Sequence, residues 1–280
     1  MKKTREIFCV VLGIYLLCYA FRIFEYFVLR TDKTWIGEAI IHKCIGIVVI
    51  LIVVRKLQLT VKEIGFVKEK CFWNLLKGLA FGIAVFIIAY ATEILIAISS
   101  GRFETLQIYI SSYAVNQNIG HETEIIFFVI CIVGNIINVI MEEGLFRGVF
   151  QKILESKYSF IFSAVIASTL FGLWHMIGPV RNYIDGAFSK EAMIANILML
   201  VITSGLVGFK FALLTKLTGS LYMAMGDHFV NNTIVNILHV VSNTGADEMM
   251  FVRITIAQSL SFILVLIVYL VRSDRKTVTQ

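Results

Sequence analysis

Hydrophobic positions along this chain come in long unbroken blocks rather than in alternation with polar ones. Apolar segments fall at about 7–29, 36–54, 73–99, 124–154, 158–178, 192–215, 219–241 and 253–271. A helix needs roughly 20 mostly apolar residues to cross a bilayer core, and each block is long enough. The pattern predicts an all-α fold: a polytopic integral membrane helical bundle of about eight transmembrane helices, with residues 1–280 forming a single membrane domain. The polar joints are few. The clearest run from Arg55 to Lys70, from Ser100 to Glu124, and along the tail Arg272 to Gln280. No internal repeat or low-complexity tract is visible.

Composition strengthens this picture. The chain is 58% hydrophobic, carries only 16% charged residues and has a mean hydropathy of +0.85. Soluble domains carry about a quarter charged residues, so the natural solvent here is lipid. The net charge is +6, but no basic stretch alternates with aromatics, which argues against a nucleic-acid partner. The excess suits cytoplasmic loops facing anionic lipid. With the N-terminus inside, the inner segments hold sixteen Lys and Arg and the outer ones six. That bias predicts eight helices with both termini cytoplasmic. Lys2, Lys3 and Arg5 precede an apolar run that continues to about Leu29 without an A-x-A site, so it reads as a retained first helix. The five cysteines, Cys9, Cys18, Cys44, Cys71 and Cys131, sit in or beside apolar segments with no C-x-x-C, and read as small buried hydrophobes.

Ionisable side chains inside spans are costly and default to a functional reading. Three groups stand out. In Glu142-Glu143-Gly-Leu-Phe-Arg147, a regular helix places Glu143 and Arg147 on one face, where they pair. Glu142 points elsewhere, with no local partner, on the face of Asn135 and Asn138. An ion pair with asparagine glue between helices explains the other members of this group, but not Glu142. The second group, Phe171-Gly-Leu-Trp-His175, reads alone as either a site histidine or an interhelix hydrogen bonder. The third, His228-Phe-Val-Asn231-Asn232, brings imidazole and amide four residues apart, able to donate together to a developing oxyanion or to act as interhelix glue. With cytoplasmic turns near Lys157 and Thr218, Glu142, His175 and His228 lie roughly 15–26 Å from that face, a shared depth that suggests one water-accessible site. Other in-span charges read as structural: Arg22 with Glu25, and Glu38 with His42, as local helix pairs. Glu93 and Asp227 have no evident role, and His239 falls at the far end of its span.

The ordered set E-E-x-x-x-R, F-x-x-x-H and H-x-x-x-N on successive hydrophobic helices is similar to the signature of the CPBP family, the CAAX proteases and bacteriocin-processing enzymes, also called Abi or type II CAAX prenyl endopeptidases. The resemblance covers about residues 120–240 and implies a catalytic core there, in an eight-helix intramembrane endopeptidase. It implies Glu142 as the residue that activates water, His175 as its assistant, and His228 with Asn232 as the oxyanion hole. Glu143, Arg147, Phe171 and Asn135 would be supporting residues. No H-E-x-x-H is present. Zinc or another divalent metal would therefore need Glu142, His175 and His228 from three helices. A metal-free glutamate mechanism is the preferred expectation.

The implied substrates are membrane-associated or lipidated proteins or peptides: C-a-a-X processing, or maturation of and immunity to bacteriocins, or signal-peptide processing. Membrane lipids are the other expected partner, and a prokaryotic plasma membrane the expected location. Two other classes stand against this reading. One is a non-enzymatic membrane scaffold that regulates a partner such as a sensor kinase. The other is a transporter, which the missing repeat disfavours.

Overall fold

The computed structural model describes residues 2–34, 39–111 and 121–278; the side chains of 2–5 and 274–278 lie outside the description. The helices are α1 (Lys2–Phe24), α2 (Ile41–Lys56), α3 (Cys71–Ser99), α4 (Ile125–Glu142), α5 (Gln151–Glu155), α6 (Phe160–Trp174), α7 (Ile177–Ile184), α8 (Lys190–Thr218), α9 (Tyr222–Ile237) and α10 (Met250–Val278). A π-helical stretch, Glu143–Phe150, joins α4 to α5 in one rod. Among the described residues six rods are long and apolar enough to cross a membrane: Glu6–Lys33, Lys68–Ser99, Ile125–Glu155, Phe160–Ile184, Lys190–Thr218 and Met250–Ser273. Every apolar block of the sequence contains helix, and the protein is a polytopic helical membrane protein.

Two of the eight expected spans, α2 and α9, have only 16 residues each. At 1.5 Å per residue they are about 24 Å long, short of the hydrocarbon thickness. For α9 the reason is its place: it is wrapped by α3, α4, α8 and α10, so it faces protein rather than lipid. Close packing of α3 on α9 depends on two glycines. A Cβ on Gly78 would lie 2.2 Å from the Met223 carbonyl oxygen, and one on Gly226 would lie 2.7 Å from that of Leu75. Small residues allow such backbone approach between membrane helices.

One apolar block is not helical to its end. The block 219–241 stops being helix at Ile237, and β2 (Leu238–Ser242) pairs antiparallel with β1 (Phe103–Ile108). The Tyr90 hydroxyl donates to the Leu238 carbonyl at 2.6 Å where the helix gives way to strand. Val240 and Val241, β-branched and buried, favour the extended backbone there.

Several charge expectations also change. Glu38 lies outside the described residues. His42 instead receives Glu25, whose Oε2 is 2.6 Å from its Nδ1, and Arg22 turns away from Glu25. Glu93 pairs with Arg253 at 2.8 Å and Asp227 with Lys210 at 2.7 Å, so each buried acid has a cation. Lys210, Arg181 and Arg253 are buried in such pairs. Arg30 bonds Asp185 at 2.6 Å and Arg181 bonds Asp32, tying the end of the first rod to α7. The Arg30 hydrogen bond holds the Asp185 carboxyl below the usual carboxylate range.

Gly78→Ala is expected to destabilise the bundle by about 1–3 kcal/mol, because backbone must shift to admit the methyl group. The reading is a lower melting temperature in detergent. Gly13→Ala, whose Cβ meets nothing within 4 Å, serves as the neutral control.

Candidate active site

The site grows from the junction of α4 and the π stretch. α4 carries Asn135, Asn138 and Glu142 along one buried stripe. From Glu143 the backbone widens, and all eight residues to Phe150 are buried. Such π segments are rare and frequent at functional sites. The regular-helix turn assumed above for Glu142 to Arg147 therefore fails beyond Glu143, although the Glu143–Arg147 pair forms, at 3.2 Å. Arg147 also donates from Nε to the Gly208 carbonyl at 3.2 Å. Its guanidinium lies 4.1 Å from the Phe171 ring centroid and 5.3 Å from that of Phe211. Gly208 leaves room there: a Cβ would sit 2.5 Å from a terminal Arg147 nitrogen.

Glu142 is not the isolated carboxylate expected from its helix. The Trp174 indole N–H donates to Oε1 at 3.1 Å, and the Asn138 amide donates to Oε2 at 3.3 Å. His228 Nε2 stands 3.6 Å from Oε2, and an Arg22 nitrogen stands 4.0 Å from Oε1. The other His228 nitrogen, Nδ1, is 2.8 Å from Glu143 Oε1. One imidazole thus lies between two adjacent glutamates, stacked on Phe211 with centroids 4.8 Å apart. A carboxylate only accepts, so Nδ1 carries the hydrogen in that contact.

His175 caps the end of α6 and is partly exposed. Its Nδ1 lies 2.8 Å from the Phe171 carbonyl oxygen, which places the hydrogen on Nδ1 and leaves a lone pair on Nε2. Its ring packs edge-on against Phe171 at 4.8 Å. Phe171 therefore touches Arg147, His175 and, at 6.1 Å, His228. Asn232 lies one turn beyond His228 and bonds Asn231 and Asn236 rather than Glu142. Asn135 donates to the Cys131 sulfur at 3.6 Å, a turn away from the carboxylates.

The first two helices add residues that motif reasoning left aside. Glu25 accepts from Thr31, from the Ile41 and His42 backbone amides, and from His42 Nδ1. That contact leaves His42 Nε2 as an acceptor, and Arg22 meets it at 3.3 Å. Arg22 then sits over Trp174 at 4.6 Å and faces Glu142. The signal was present: Arg22, Glu25 and His42 are ionisable residues within apolar blocks, and Trp174 adjoins His175.

A metal would have to be held by Glu142, His175 and His228. Among the described residues no group of three or more His, Cys, Asp or Glu side chains is placed to hold an ion in this geometry.

Arg22→Met removes a cation from beside Glu142 and a donor from His42. It is expected to cost about 1–3 kcal/mol, the range for hydrogen bonds to charged groups. Thermal melting in detergent measures it, with Arg22→Lys intermediate because an ammonium keeps the charge but not the planar stacking on Trp174.

A search of curated proteins finds no match to this chain. Residues 124–234 match the family described as type II CAAX prenyl endopeptidase Rce1-like. That stretch runs from the start of α4 to near the end of α9, and so contains Glu142, Glu143, Arg147, His175, His228 and Asn232. Through this segment the chain is similar to the type II CAAX prenyl endopeptidase Rce1-like family of membrane proteases.

Proposed function

We propose that the protein hydrolyses a peptide bond of a membrane-associated or lipidated protein or peptide, at a site within the bilayer built on Glu142. The observation that carries this reading is the His228 imidazole held between Glu142 and Glu143. In the proposed reaction Glu142 takes a proton from water as the water oxygen bonds to the scissile carbonyl carbon. The Trp174 and Asn138 donors hold the carboxylate in place for that transfer. The His175 Nε2 lone pair is the second acceptor that orients the water. His228 and Asn232 donate to the oxyanion, and the C–N bond breaks as Glu142 returns the proton to the leaving amine. For His228 to donate from Nε2 while Nδ1 donates to Glu143, both nitrogens carry hydrogen. Preorganised donors of this kind are the largest single contribution in many acyl-transfer sites.

In this reading residues 1–280 form one membrane domain with its catalytic core at 120–240, and the mechanism needs no metal. The substrate is a C-a-a-X protein, a bacteriocin or a signal peptide, in a prokaryotic plasma membrane with both termini cytoplasmic. The orientation rests on the Lys and Arg bias of the loops.

The test is cleavage of a farnesylated C-a-a-X peptide, and of the same peptide unprenylated, by purified protein in detergent. Glu142→Gln keeps the shape and an acceptor oxygen for Trp174 but cannot take a proton. It should lower the rate by about 10²–10⁴, the usual loss for a general base, with melting little changed. Glu143→Gln strands Arg147 and His228 and should cost about 3–5 kcal/mol of stability, so its activity loss follows loss of folded protein. If Glu142→Gln still cleaves, the assignment is wrong.

Chelation supplies the separate test of metal independence. Phenanthroline should leave the rate unchanged; loss of rate restored by added zinc would contradict the metal-free mechanism.

A further inference from the structure

Beyond the matched segment, α10 reaches into the site through a chain of amides. Lys210 on α8 lies 2.7 Å from Asp227 Oδ2, 2.9 Å from Gln258 Oε1 and 3.1 Å from Ser261 Oγ. An ammonium only donates, and it has no acceptor to offer a neighbour. Gln258 must then present oxygen to Lys210 and nitrogen to its other neighbour. Its Nε2 donates to Asn231 Oδ1 at 2.6 Å. Asn231, its oxygen occupied, donates from Nδ2 to Asn232 Oδ1 at 3.0 Å. Each step repeats the same polarity, and Asn232 is left with its Nδ2 donor, which has no partner among the described residues. Amide orientation is ordinarily ambiguous, but here a group that only donates sets it for the whole chain.

The geometry points to Gln258 as a positioning residue: with Asn231 it transmits the polarity of the Lys210 ammonium to Asn232, so that the Asn232 N–H donor rather than its oxygen faces the substrate carbonyl. This rests on the proposed hydrolysis, in which Asn232 donates to the oxyanion. Were Asn232 turned over, its carbonyl oxygen would face a developing negative charge and oppose the reaction. Ground-state binding of the peptide would change little, because the contact forms fully only in the transition state. A plain interhelix hydrogen bond would also join α9 to α10, but it would give no reason for the effect to run through Asn232.

The experiment uses the full-length protein and the farnesylated C-a-a-X peptide. In Gln258→Glu the side chain still accepts from Lys210 but no longer donates to Asn231. Its kcat should fall by about tenfold or more, up to the ~10²–10³ seen when an oxyanion donor is lost, with KM within about twofold. In an Asn232→Ala background the same change should cost nothing further, since coupled residues are non-additive. Equal losses in both backgrounds, or wild-type kcat in Gln258→Glu, would overturn the relay. Wild-type activity in Asn232→Ala would overturn the relay and the oxyanion assignment together. A second arm needs no turnover. In protein carrying ¹⁵N-labelled asparagine, the side-chain NH₂ signals of Asn232, identified by their absence from Asn232→Ala, should move in Gln258→Glu. Unmoved signals refute the relay. If the wild-type protein fails to cleave the peptide, the hydrolysis reading falls while this arm still decides the relay.

Discussion

Two adjacent carboxylates, Glu142 and Glu143, are buried in the interior of a membrane protein at 3% and 0% exposure, and the rest of the site follows from that placement. Desolvating one such charge costs several kcal/mol, and two neighbours also repel each other. The protein answers with donors and cations from several helices. Arg147 and His228 Nδ1 meet Glu143, while Trp174, Asn138, His228 Nε2 and Arg22 surround Glu142. His228 is the shared element, because one ring faces both acids. Its position in turn demands a helix, α9, that runs through the middle of the bundle.

The fold features that look irregular serve this arrangement. The π stretch begins at Glu143, where a regular helix would continue the α4 stripe, and it seats Arg147 between Phe171 and Phe211. α9 is too short to span lipid by itself but is enclosed by other helices, so its polar residues never meet hydrocarbon. Glycines at 78 and 226 bring α3 against α9, and Gly208 leaves room for the arginine. The first two helices contribute through Arg22, which the Glu25–His42 pair and the Trp174 ring hold beside Glu142.

Much of this was legible in the residue order, and the failures have physical causes. Blocks of apolar residues are enough to place the helices, because lipid leaves the backbone no other way to satisfy its hydrogen bonds. The Glu143–Arg147 pair is a local contact and follows from spacing. The contacts that define the site are not local: Trp174 and Arg22 reach Glu142 from other helices, and His228 reaches Glu143 across 85 residues of chain. Spacing carries no record of them. Arg22 and Glu25 invited a pairing on their own helix, whereas Glu25 takes the His42 ring and backbone amides and leaves the guanidinium to Glu142. The β1–β2 ladder was hidden because Leu238 to Ser242 extends an apolar block and reads as more helix. The role of Gln258 depends on hydrogen-bond polarity passing through four side chains, which only coordinates reveal.

His228 is clamped between the two glutamates and donates to Glu143 through Nδ1. The direct measurement is ¹⁵N NMR of the histidine ring nitrogens in lipid nanodiscs, with His228 assigned by substitution. The expected result is a protonated, strongly hydrogen-bonded Nδ1 whose signal shifts when Glu143 is replaced by Gln, and an Nε2 signal that responds to Glu142→Gln. A His228 ring with a bare Nδ1, or one that ignores both substitutions, would contradict it.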